Sequence, residues 1–181
     1  MKNVVVASFA AAAAVFALAS SASAQTLSAP KVYGNLGYTY VNDRDSDANA
    51  NVLTGRLGVR LHPNFALEGE AGFGIGSDTV TASGVSAKVK VDHTFAGYAV
   101  AYLPVTPQFE LFARGGYGTT RISVKSGTVS SAGSEDSWNY GVGGQYMFDG
   151  VNGLRADYTR HDFRNNAGSF DAWGVSYVRK F

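Results

Sequence analysis

Seven ionisable residues stand at alternating positions in otherwise apolar, β-prone segments: Arg56 and Arg60, Glu68 and Glu70, Arg114, and Arg155 with Asp157. Side chains alternate across a strand, so residues two or four apart share a face. Charges enclosed by a narrow barrel must be paired or hydrated, because an isolated buried charge is very costly. Two chemistries follow. The seven can form a structural ion-pair network that fills the interior, with Arg56 and Arg60 on a strand next to that of Glu68 and Glu70. They can instead form a gate or conductance filter. The structural network is preferred, since eight strands enclose a bore only wide enough for side chains.

Other motifs carry less. Asp43-Arg44-Asp45-Ser46-Asp47 opens like a calcium loop, but Ala48 stands where the sixth-position Gly is needed and Thr54 where the twelfth-position Glu is needed. A solvated acidic loop is therefore expected. Gly72-Phe73-Gly74-Ile75-Gly76 mimics part of a dinucleotide fingerprint, yet no helical pattern follows to hold a phosphate. Of the three His, His62 falls in a turn, and His93 and His161 read as polar residues near a surface rim. His161 and Asp162 are strand neighbours facing opposite ways, so they cannot act as a dyad. None of the three begins a His-x-Ser arrangement. No catalytic constellation, cofactor or metal is expected.

The elements that must position the charges are strands. Eight are predicted: 32–41, 52–61, 65–75, 91–103, 108–119, 137–148, 153–163 and 171–181, near the length of a tilted membrane strand. Leu53, Leu57, Val59 and Leu61 oppose Thr54, Arg56, Gly58 and Arg60. Phe65, Leu67, Ala71, Phe73 and Ile75 oppose Glu68, Glu70, Gly72 and Gly74. Trp138, Tyr140, Val142, Tyr146 and Phe148 oppose Asn139, Gly141, Gly143 and Gln145.

Three features place the apolar face outside, against lipid. The polar face is rich in Gly, which weakens a water-exposed strand but makes room inside a barrel. Charged residues are only 16% of the chain, few for a soluble surface. Aromatics gather near strand ends, with Tyr38, Tyr40, Phe73, Trp138, Tyr158 and Trp173 at one rim. Phe65, Tyr102, Phe109, Phe148 and Phe181 are expected at the other, as two interfacial belts. Short turns at 62–64, 104–107 and 149–152 alternate with longer polar stretches at 42–51, 76–90, 120–136 and 164–170. That alternation fits short periplasmic turns and long surface loops, with both termini periplasmic.

The first residues read as an export signal. Lys2 precedes an uncharged run from Val4 to Ala19, and Ala22-Ser23-Ala24 supplies a cleavage pattern before Gln25. The expected organisation is a signal peptide at 1–24 and a barrel domain at 25–181. Losing Lys2 takes the 15 basic residues to 14, equal to the 14 acidic ones, which argues against a nucleic-acid partner. The chain has no Cys. A lipid anchor is therefore not expected, and an exported domain of this size needs another device than disulfides. A closed barrel is such a device. Mean hydropathy is −0.05, which opposes helical spans but not a barrel.

Phe65-Ala66-Leu67-Glu68-Gly69-Glu70, Leu111-Phe112-Ala113-Arg114-Gly115-Gly116-Tyr117-Gly118 and Leu154-Arg155-Ala156-Asp157-Tyr158-Thr159 resemble the small outer-membrane β-barrel family. This is the family of opacity-type proteins and of the membrane domain of outer-membrane protein A. The resemblance implies an all-β, eight-stranded antiparallel up-and-down transmembrane barrel. The chain ends in Tyr177-Val178-Arg179-Lys180-Phe181, similar to the signal read by the barrel-assembly machinery, with Tyr177 and Phe181 as its apolar positions. Arg179 departs from that apolar phase, where its side chain can snorkel to the interface. No cell-wall-binding domain follows, so wall anchoring is not expected. The resemblance implies partnership with outer-membrane lipid and the assembly machinery, and leaves any loop partner unnamed. The expected function is non-enzymatic envelope structure or surface interaction, with a small porin-like channel as the alternative.

Overall fold

A computed structural model of the protein describes residues 31–43, 49–75, 78–82, 85–126, 129–164 and 168–181. The expected signal segment, most of the calcium-like stretch and Gly76 lie outside these residues.

Among the described residues nine strands run in chain order: β1 Lys31–Asp43, β2 Asn49–His62, β3 Phe65–Gly74, β4 Asp78–Ala82, β5 Val85–Pro104, β6 Phe109–Ser126, β7 Val129–Met147, β8 Asn152–Phe163 and β9 Ser169–Lys180. Eight of them form a ring of antiparallel neighbours, β3-β2-β1-β9-β8-β7-β6-β5, which closes because β3 also pairs with β5. Chain order is ring order, the up-and-down arrangement. The closing register is Glu68 opposite Tyr98 and Glu70 opposite Ala96. Closure leaves the ring without an unpaired edge, so every spanning backbone group can be satisfied inside lipid.

Two stretches expected as polar loops are strands instead. Residues 76–90 contain β4 and the start of β5, and β4 adds only to β5. Residues 120–136 continue β6 and β7 as a hairpin paired from Thr120–Glu135 to Ser126–Val129. Runs such as Arg121-Ile122-Ser123-Val124 alternate β-branched with polar residues, and neighbouring strands supply the pairing that decides the state. At the opposite end the connections are tight. Asp149 caps the β7–β8 turn by accepting bonds from the amides of Val151 (2.9 Å) and Asn152 (2.5 Å). These donors hold its carboxyl down to about 2. Gly150 takes φ 81° there, a conformation that favours glycine.

The faces divide cleanly. Leu36, Leu57, Phe73, Val142 and Val175 are each more than half exposed on the outside, whereas Arg56, Glu68, Arg114, Arg155 and Asp157 are buried inside. Strand β5 inverts the expected size rule. Its bulky Tyr98, Val100 and Tyr102 point inward and are buried, while Gly97, Ala99 and Ala101 face out. Tyr102 is therefore not part of an interfacial belt. Inward glycines on other strands make room for such rings. A Cβ on Gly58 would lie 2.2 Å from the Tyr33 ring, and one on Gly143 would lie 2.4 Å from the Phe112 ring. The small outward residues of β5 border a shallow apolar groove of about 370 Å³ on the outer surface, also lined by Leu61, Phe65 and Leu67. It lies outside the bore.

Candidate functional site: the charged bore

Strand alternation brings the inward charges into three tiers. The tier farthest from the short turns is a closed ring of two cations and two carboxylates. Arg56 and Glu70 are register partners on β2 and β3, and the Arg56 Nε donates to Glu70 Oε2 at 2.6 Å. The other two nitrogens of Arg56 fork onto Asp157 of β8 at 2.8 and 3.1 Å. Arg114 of β6 closes the ring, donating to Glu70 at 3.1 Å and to Asp157 at 2.7 Å. Its Nε also donates to Thr159 Oγ1 at 3.0 Å, and its guanidinium lies 4.5 Å from the Tyr98 ring centre.

The next tier toward the short turns centres on Glu68. Arg155 donates to both its oxygens, at 2.5 and 3.2 Å, and Tyr33 adds a hydroxyl at 2.7 Å. Tyr102 completes this set at 3.3 Å. The Arg155 guanidinium stacks 3.8 Å from the Phe112 ring centre. The last tier is Arg60 forked onto Glu110 at 2.8 and 3.1 Å, with Gln145 donating to Glu110 at 2.6 Å and the Lys180 ammonium forming an ion pair with it at 3.7 Å.

Six of the seven singled-out residues thus join two tiers. Arg60 is apart: its register partner is Ala66, so it bonds to neither Glu68 nor Glu70. Its partner Glu110 was missed, although it shares the phase of Arg114 four residues on. The tyrosines were missed because an aromatic on an apparently apolar strand reads as lipid-facing. His161 also differs from expectation. It follows Thr159 on the inward phase and sits near Glu70 and Arg114, inside the bore. His93 lies against Phe95 with ring centres 5.4 Å apart, and His62 against Phe65 at 6.1 Å.

Above the charges the lining turns neutral. Ser137 donates to Asn139 at 2.7 Å, and the hydroxyls of Thr39 and Thr54 are 2.9 Å apart. Among the described residues, no group of three or more His, Asp and Glu is placed to hold a metal. Chemically, the arrangement fills the bore with neutralised, hydrogen-bonded charge. Tyr177 and Phe181 lie outside this network. Tyr177 faces out and bonds through its hydroxyl to Asn152, and the Phe181 amide donates to Val32 O at 2.8 Å.

A closed antiparallel barrel with an apolar exterior and a charged interior defines a protein that crosses a membrane with its strands. Residues 9–181 match the model of the outer membrane protein beta-barrel domain, and the chain belongs to that family. It is an outer-membrane protein embedded in lipid. No curated protein matches the chain. Among solved structures, it is similar to Ail, the attachment invasion locus protein of Yersinia pestis, with 15% identity, 84% of this chain and 99% of that one covered, and TM-score 0.62. It is similar to Neisserial surface protein A at 12% identity, with 87% and 100% covered and TM-score 0.63. It is also similar to OprG of Pseudomonas aeruginosa at 10% identity, with 84% and 96% covered and TM-score 0.62. At these identities the likeness is one of fold.

Proposed function

We propose that the protein is a closed, non-enzymatic barrel that displays its long-loop end outside the cell for envelope structure or surface interaction. The observation that carries this reading is the Arg56–Glu70–Arg114–Asp157 ring, which spans the bore with bonds of 2.6 to 3.1 Å. A bore crossed by paired side chains leaves little room for a solute. The β4–β5 and β6–β7 pairings support the display half of the reading, because they extend the sheet past the ends of β3 and β8. One protein of similar fold, Ail, was crystallised with the heparin analogue sucrose octasulfate. The short turns then face the periplasm.

Biogenesis in this reading begins with removal of residues 1–24. Sequencing the N-terminus of outer-membrane material should return Gln25, and an intact Met1 would overturn it. The decisive functional test is planar-bilayer conductance of the refolded barrel. Little or no current is expected. Large, steady, single-channel steps would instead favour a small diffusion channel.

A further inference from the structure

Charge is balanced along the bore until the short-turn mouth, where it is not. Above the mouth, Arg56 and Arg114 stand against Glu70 and Asp157, and Arg155 against Glu68. At the mouth, the inward phase of β1, β2 and β9 brings up Lys31, Arg60 and Lys180, and Glu110 is the carboxylate that meets them. Three cations against one carboxylate leave an excess of two positive charges.

Glu110 is already engaged. Arg60 holds both its oxygens, and Gln145 adds a bond at 2.6 Å. The Lys180 ammonium stands 3.7 Å away, beyond hydrogen-bond reach. Lys31 is the register partner of Arg60 and sits near Lys180, and among the described residues it forms no ion pair. Lys31 is exposed and the Lys180 side chain partly so, which leaves both open to solutes entering the mouth.

The same tier holds two buried polar atoms without a protein partner, the Arg60 Nε, a donor, and the Gln145 Oε1, an acceptor. Gln145 is 2% exposed, and its amide nitrogen must face the Glu110 carboxylate, which fixes the oxygen on the other side. A buried polar atom left unpaired is costly, so the two mark a place where a small polar species fits. Ala66, Val100 and Val178, all buried, wall the bore beside these charges. Low-dielectric walls that carry one sign of charge focus the field and concentrate counter-ions.

The unmet groups describe their ligand. An excess of two positive charges matches a dianion. Ammonium groups and a guanidinium N–H are donors, and they bond strongly to phosphate oxygens. The Gln145 oxygen needs a donor, which hydrogenphosphate supplies through its single hydroxyl. Sulfate has the same charge and shape but lacks that hydroxyl. The ring of Arg56, Glu70, Arg114 and Asp157 crosses the bore above, so the site is entered from the short-turn side.

We propose that the short-turn mouth binds inorganic phosphate as its dianion, held by Lys31, Arg60 and Lys180, with Gln145 accepting from the phosphate hydroxyl. The test titrates the whole isotope-labelled barrel, in micelles of an uncharged detergent at mildly alkaline pH, with inorganic phosphate. The side-chain N–H resonances of Gln145 and Arg60 should move and saturate, while those of Arg114 stay in place. Lys31→Met and Lys180→Met should each weaken binding at least fivefold in protein confirmed as folded by its heat-shifted mobility. Arg179→Met, next in the chain to Lys180 and on the outward face, should leave it unchanged. Sulfate should bind at least threefold more weakly than phosphate, and sodium chloride at matched ionic strength should produce no saturable shift. Phosphate-free vesicles of phosphatidylglycerol should leave the resonances where phosphatidylcholine vesicles leave them. Equal weakening by Arg179→Met, or equal shifts with chloride, would reduce the effect to general screening and overturn the proposal. Sulfate binding as tightly as phosphate would remove Gln145 from the site and overturn the choice of ligand. Saturating shifts in phosphatidylglycerol alone would assign the site to a lipid headgroup and overturn the dianion.

Discussion

Arg56 and Asp157 lie 101 residues apart in the chain and face each other across the bore at 2.8 Å. Their strands are not neighbours, since β1 and β9 stand between β2 and β8 in the ring. The contact therefore exists only once the barrel has closed, and it ties opposite walls together. Both side chains are almost wholly buried, so each depends on the other for its charge to be tolerated.

Removing one member of that ring should be costly. Glu70→Ala leaves Arg56 and Arg114 short of a carboxylate, and an uncompensated buried charge costs about 3–5 kcal/mol. Urea unfolding in vesicles should show the loss, and bilayer recordings should show current only in the variant. A hydrated pore behaves oppositely: an unfolding curve overlying that of the wild type, with altered ion selectivity, would exclude the closed ring.

The Gly58–Tyr33 contact makes a packing prediction. Gly58→Ala forces the Tyr33 ring to move and should cost about 1–3 kcal/mol by overpacking. Because the clash is with a side chain alone, Gly58→Ala combined with Tyr33→Ala should cost less than the two single changes added. Strict additivity in the double-mutant cycle would contradict this.

The lipid-facing phase can be tested at Val142, which is exposed on β7 between inward Gly141 and Gly143. Val142→Arg should destabilise the barrel by about 2–4 kcal/mol if it lies near mid-bilayer. Cysteine labels at 142 and 143 should differ in access to lipid-soluble quencher. Equal quenching would place neither face against lipid.

Asp149 predicts an acid-sensitive turn. Its carboxyl is held down to about 2 by amides of the turn, below the usual value near 4. A depressed folded value gives stability that is present above about pH 4 and is lost as pH falls toward 2. Asp149→Asn should lessen the fall in stability over that window. Identical acid unfolding profiles would show that the turn contributes nothing.

Phe181 bears on assembly. Deleting it should lower insertion and leave precursor in the periplasm, if the terminal aromatic is read as the resemblance implies. Fractionation with a heat-modifiability gel measures this, and unchanged folded protein in the outer membrane would show it to be dispensable.

Much of the barrel was legible in the chain itself. Period-two alternation from Leu53 to Leu61 and from Phe65 to Ile75 determined which residues share a face, because a strand offers only two. The turn residues at 62–64, 104–107 and 149–152 determined where hairpins reverse. The same rule predicted nothing reliable about β5, where Tyr98 and Tyr102 alternate with Gly97, Ala99 and Ala101. Size does not say which way a strand faces; the carboxylates of Glu70 and Glu68 on the neighbouring strand β3 accept bonds from Tyr98 and Tyr102 and hold those rings inward. Partner choice lay equally beyond the sequence. Arg60 and Glu68 are close in the chain, yet Arg60 bonds to Glu110 and Glu68 to Arg155, 87 residues later. Stagger between strands and the curvature of closure set those meetings, and both belong to the ring as a whole.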